Sequence, residues 1–126
     1  MLETVLFVDD DEDLREVMQD ILARLGVRHV VAAGSLSDVQ IRRDEALDCD
    51  LAILDINLGT NQPTGVNVYE WLEREGFGGR IIFLTGHASN DPRVREAASL
   101  NNAYVASKPL SLAELGGLIE VASPAR

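Results

Sequence analysis

Val5-Leu6-Phe7-Val8-Asp9-Asp10-Asp11 sets the pattern for the whole chain: four apolar residues in a row, then three acids. A short apolar run that ends abruptly in charge reads as a buried β-strand with one end at the surface. Leu14, Val17, Met18, Ile21, Leu22 and Leu25 follow at spacings of three and four, one apolar face of a helix, and Gly26 supplies its stop. Either Asp11 or Asp13 suits the N-cap of that helix.

The same alternation continues to the end. His29 to Ala33 reads as a second strand, and Ser35 to Ala46 as one helix capped by Ser35 or Ser37. Leu51 to Leu54 is a third strand. A polar loop from Asp55 to Gly65 follows, rich in turn formers (Gly59, Asn61, Pro63 and Gly65). Val66, Val68, Tyr69 and Leu72 mark a third helix, and Ile81 to Leu84 a fourth strand. Asp91-Pro92 opens a fourth helix that runs to about Asn101. Ala103 to Ala106 is a fifth strand. Ser111 and Glu114 form a capping box for a fifth helix. Five βα units, three of whose strands are apolar almost throughout, predict an α/β fold: a doubly wound parallel sheet with helices on both faces.

Length and composition agree. The chain has 126 residues, 46% hydrophobic and 25% charged, one domain's worth of ordinary globular sequence. The 21 acids against 11 bases give −10, which argues against nonspecific binding to nucleic acid or anionic lipid. No apolar run is long enough to span a membrane, and the acidic N-terminal segment is unlike a signal peptide. The single cysteine, Cys49, has no internal partner and reads as a small hydrophobe. The expected location is the cytoplasm.

An open doubly wound sheet binds ligands beyond the carboxyl ends of its strands. Those ends carry Asp9-Asp10-Asp11, Asp55, Thr85 and Ser107-Lys108. Singly, each suits a cap, a turn or a solvated charge. Together they bring several carboxylates to one edge, where unit charges ~4 Å apart repel by about 4 kcal/mol at an effective dielectric of 20. A cation offsets such repulsion. Oxygen donors without histidine or cysteine favour Mg²⁺ or Mn²⁺ over Zn²⁺. Carboxylates, a hydroxyl and an ammonium around Mg²⁺ form a phosphoryl-transfer site, with one carboxylate as nucleophile. Lys108 is the only lysine in a chain with ten arginines, and it stands at this edge.

These residues resemble the receiver domains of two-component response regulators, of the chemotaxis-regulator type. The resemblance rests on Val8-Asp9-Asp10-Asp11, Leu54-Asp55, Leu84-Thr85-Gly86 and Lys108-Pro109, in that order, and spans essentially the whole chain. It implies a flavodoxin-like five-stranded sheet in the order 2-1-3-4-5, with a receiver domain over residues 1–122 and a tail or linker at 123–126. It implies phosphorylation of Asp55 by a histidine kinase or phosphotransfer protein. Mg²⁺ would be held by Asp9, Asp10, Asp55 and the carbonyl of Asn57. Thr85 and Lys108 would contact the phosphoryl group. Asn57 and His87 match positions that tune phosphate lifetime. A downstream protein would dock on the face made by the fourth helix, fifth strand and fifth helix.

The chain departs from the family pattern in two places. The loop after Asp55 lacks the usual proline, and Gly65 lies about two positions late. The aromatic that commonly stands three residues before the lysine is replaced by Val105, with Tyr104 one position off and expected on the opposite sheet face. Two other readings follow. One is a receiver-like scaffold whose output is independent of phosphate. The other is a phosphatase, because Asp9-Asp10-Asp11 after a strand also resembles the Asp-x-Asp opening of haloacid-dehalogenase-type enzymes, with Asp9 as nucleophile.

Overall fold

The computed structural model describes residues 4–59, 61–86, 92–100, 103–108 and 113–117. Five strands, β1 (Thr4–Val8), β2 (His29–Ala33), β3 (Leu51–Asp55), β4 (Arg80–Thr85) and β5 (Ala103–Ser107), form one sheet in the order β2-β1-β3-β4-β5. Every pairing is parallel. The helices are α1 (Glu12–Arg24), α2 (Leu36–Ile41), α3 (Arg43–Leu47), α4 (Gly65–Arg74) and α5 (Pro92–Ala98), with a further helical segment, α6, at residues 113–117.

Strand alternation divides the core into two layers. Val5 and Phe7 of β1, with Leu51, Ile53, Ile82 and Leu84, pack against Met18 and Leu22 of α1 and Leu115 of α6. Leu6 and Val8, with Ala52, Leu54, Ile81 and Phe83, pack against α2, α3, α4 and α5 through residues such as Val39, Ala46, Leu72 and Val94. The central strands are therefore apolar on both faces, which is why they read as unbroken hydrophobic runs.

Local chemistry fixes the helix ends. Asp11, not Asp13, caps α1: its carboxylate accepts from the N–H groups of Asp13 and Leu14. Gly26 turns the chain out at φ +96°, a conformation that favours glycine. Ser35 caps α2 by accepting from Asp38 N–H. The single helix expected over 35–46 is instead two short ones. Arg42 sits between them at φ −102°, ψ 37°, outside helical geometry. Its guanidinium donates to the carbonyl of Ala32 at 2.8 Å and to the Glu45 carboxylate. A tertiary bond to the edge strand β2 thus breaks the helix, which periodicity along the chain cannot register. The expected capping residues Asp91 and Ser111 lie outside the described residues.

Candidate functional site

The parallel sheet delivers its strand ends to one edge, and the acids meet there. Asp9 follows β1, and Asp55 ends the adjacent β3. Both are buried, at 1% and 5% exposure, whereas Asp10 is exposed. Asp9, Asp10 and Asp55 each offer a carboxylate oxygen within 4.8 Å of the others. Lys108, just past β5, donates from Nζ to Asp9 Oδ2 at 2.9 Å and to Asp55 Oδ2 at 3.0 Å. Its backbone N–H donates to the Thr85 carbonyl at 2.8 Å, which ties the lysine to the end of β4.

The remaining carboxylate oxygens are held by backbone. Asp9 Oδ1 accepts from Asp11 N–H at 2.9 Å, and Asp55 Oδ1 from Asn57 N–H at 3.2 Å. The Asn57 side chain accepts from Gly59 N–H, so Asn57 shapes the loop as well as the pocket rim. Thr85 is buried at the end of β4, paired in register with Ser107. Val105 is partly buried against the α2–α5 core layer. Tyr104 is 58% exposed, and alternation along β5 puts it on the other face. The register pairs Phe83 with Val105 and shows no slip that would bring Tyr104 inward. His87 lies outside the described residues.

Burial and the neighbouring Asp9 charge raise the pKa of Asp55 to about 6, against the Lys108 hydrogen bond and the Asn57 N–H, which lower it. Burial works against the charge of Lys108, but the hydrogen bonds to Asp9 and Asp55 outweigh it and raise its pKa. The stability consequence for Asp55 has a definite sign. Its folded pKa lies above the ordinary carboxylate value, so ionising it opposes folding. In the absence of metal, the contribution of Asp55 to stability is greatest below about pH 4, falls as pH rises towards about 6, and then levels off. Asp55→Asn should remove this fall. Thermal denaturation across that range checks it: the Tm advantage of the variant should grow as pH rises from about 4 to 6.

The long loop after β3 is accommodated by two left-handed residues, Gly59 at φ +115° and Asn61 at φ +59°. Thr64 caps α4 and forms a reciprocal capping box with Asn67. Gly65 then lies directly on the site. A Cβ there would collide with the Asp55 carbonyl oxygen, and it would sit 3.0 Å from Ile56 Cα. Its N–H donates to the Ile56 carbonyl at 2.9 Å. The late glycine therefore still serves close backbone approach. Gly65→Ala should destabilise the protein by about 2 kcal/mol in urea denaturation, because backbone atoms are what must move.

A parallel 2-1-3-4-5 sheet with a lysine-bridged pocket of acids at its carboxyl edge defines a class: flavodoxin-like α/β domains built around an acidic anion- or metal-handling site. The comparisons narrow it. Residues 5–120 match the response regulator receiver domain family, and the chain belongs to that family. It is a receiver domain of two-component signalling systems. Chemotaxis protein CheY4 of Vibrio cholerae is similar with TM-score 0.82 at 20% identity, covering 98% of this chain and 100% of that one. A CheY-like receiver domain protein from Methanospirillum hungatei JF-1 is 26% identical with TM-score 0.78, covering 96% and 93%. An NtrX-like response regulator of Rickettsia bellii is 30% identical over 90 residues, 71% of this chain. This chain covers 18% of that relative's length. Receiver domains are in general signalling modules rather than enzymes. Among the described residues no helix is long and apolar enough to cross a membrane.

Proposed function

We propose that this receiver domain, spanning residues 1–122, takes a phosphoryl group onto Asp55 from a histidine kinase or phosphotransfer protein and switches protein–protein contacts in response. The observation that carries the reading is the convergence of Asp9, Asp10 and Asp55 with Lys108 bridging two of them.

The donor set fits Mg²⁺ or Mn²⁺: three hard oxygens in an envelope of 4.8 Å, with no sulfur or imidazole joining them among the described residues. Asp9, Asp10, Asp55 and the Asn57 carbonyl would hold the ion, and it would supply charge neutralisation for phosphate oxygens.

The protein's own groups account for the rest. An Asp55 carboxylate oxygen attacks phosphorus, and the bond from phosphorus to the donor's imidazole nitrogen breaks. The leaving electron pair stays on the imidazole. The product is an acyl phosphate. Lys108 is placed to follow the new negative charge, since its ammonium already spans Asp9 and Asp55. Thr85 supplies a hydroxyl at the adjacent strand end. His87 and Asn57 would tune phosphate lifetime.

The downstream face is proposed to be α5, β5 and α6. Val105 stands there in place of an aromatic, with Tyr104 outside the core, so the internal ring that would couple site to surface is absent from this position. That favours a second reading, an output independent of phosphate. Acetyl phosphate with Mg²⁺ tests the first: intact mass should show one phosphoryl group per chain, lost when EDTA is added first. No uptake under any metal condition would favour the scaffold. Asp9 and Asp55 hold equivalent sets of bonds, one oxygen on Lys108 and one on a backbone N–H, so mapping of the acyl phosphate decides between the two as nucleophile.

A further inference from the structure

Arg15 lies in the first turns of α1, where an arginine reads as ordinary surface charge. Its guanidinium instead turns back over the strand end. Nη1 donates to the carbonyl oxygen of Asp9 at 2.7 Å. The β1–β2 ladder stops here: the last pair is Val8↔Ala33, and Asp9 N–H donates to the Ala33 carbonyl. Past Ala33 the chain leaves the sheet to enter α2, and the Asp9 carbonyl is taken by the arginine.

The path of the side chain depends on Gly34. A Cβ at that position would lie 2.9 Å from Nη1 and 3.4 Å from Cζ of Arg15. The glycine has no positive φ, so its need is space and not backbone freedom. Gly34 N–H is itself held by Asp38 Oδ2 at 3.0 Å, and Asp38 N–H by the Ser35 cap at 3.2 Å. The β2–α2 turn is thus pinned as a floor beneath the guanidinium.

We propose that Arg15 is a positioning residue for the cation site: it clamps the Asp9 carbonyl across Gly34 and so fixes the turn that presents Asp9 and Asp10. The inference rests on the metal reading above. The sign of the effect separates it from simple electrostatics. A guanidinium beside a cation site repels the cation, so removing its charge alone would tighten binding. Removing a group that orients the ligands loosens binding, typically by tenfold or more.

The test is Mg²⁺ affinity by titration calorimetry, with no phosphodonor present, on the wild-type chain, Arg15→Ala, Gly34→Ala and the double variant. Gly34→Ala keeps the charge; its Cβ displaces the flexible end of the arginine and lies 3.4 Å from Asp38 Oδ2. The expected result is about tenfold weaker binding in each single variant. The double variant should be no weaker than either, because both break one clamp. Arg15→Ala binding as tightly as wild type, or tighter, overturns the proposal. So does an unaltered Gly34→Ala, or losses that add in the double variant. Wild-type protein that takes up no Mg²⁺ refutes the metal reading itself, and that outcome is visible before any variant is compared.

Discussion

Asp55→Asn should reduce phosphoryl uptake from acetyl phosphate by roughly three orders of magnitude or more, to the background of the assay. The substitution keeps the size and planarity of the side chain and removes only the nucleophilic charge. One of the two surrounding bonds survives: Oδ1 of Asp55 accepts from the Asn57 N–H, which a carboxamide oxygen can still do, while the bond from Lys108 Nζ to Oδ2 is lost because an amide NH₂ is a donor. Folding should survive and improve above about pH 6, since the buried carboxylate that opposes folding is gone. Lost uptake together with raised stability is the expected pairing. Asp10, exposed at the rim, should behave differently. Asp10→Asn removes one prospective metal ligand and should weaken uptake by raising the Mg²⁺ concentration required, while leaving the nucleophile intact.

The second large effect belongs to Lys108. Lys108→Met removes an ammonium that joins two buried carboxylates and leaves a side chain of similar length. Breaking a buried ion pair by deleting one partner is usually costly, and here the lysine side chain is 27% exposed, which tempers the loss. About 3 kcal/mol in metal-free protein near neutral pH is expected. Without its hydrogen bond the pKa of Asp55 should rise beyond about 6. The loss should therefore shrink as pH falls towards 4 and Asp55 is protonated, hold at its full size through neutral and mildly alkaline pH, and shrink again once the lysine itself deprotonates, because its raised pKa means it stabilises only while charged. Phosphoryl uptake should slow by roughly a hundredfold, as when one donor to developing negative charge is removed. Urea denaturation at several pH values and a time course of uptake check the two halves separately. A loss of stability that is flat with pH would mean that Lys108 acts through packing and not through the acids.

Much of this architecture was legible in the residues because parallel strands buried on both faces announce themselves as apolar runs. Val5–Val8, Leu51–Leu54 and Ile81–Leu84 each fall inside an observed strand. The strand-end rule then brought Asp9, Asp55 and Lys108 to one edge, although the lysine is 99 residues from Asp9 in sequence. What stayed hidden depends on contacts that only the folded chain makes. Arg42 breaks the second helix by reaching the Ala32 carbonyl, and no local pattern marks it. Arg15 looks like surface charge until β2 ends and frees the Asp9 carbonyl. The capping box of α4 uses Asn67 where the familiar pattern has Glu or Gln, so the residues around Thr64 do not match that pattern. Counted along the loop, Gly65 lies about two positions late. Positive φ at Gly59 and Asn61 takes up the extra residues and returns it to the Asp55 backbone.

The central claim, that Asp55 is the residue that takes the phosphoryl group, is tested most directly by chemical mapping. The protein is incubated with acetyl phosphate and Mg²⁺, the acyl phosphate is reduced with borohydride, and the digested peptides are sequenced by mass spectrometry. Conversion of Asp55 to homoserine is the predicted result. Homoserine at Asp9, or no reduced aspartate despite phosphoryl uptake, would contradict it.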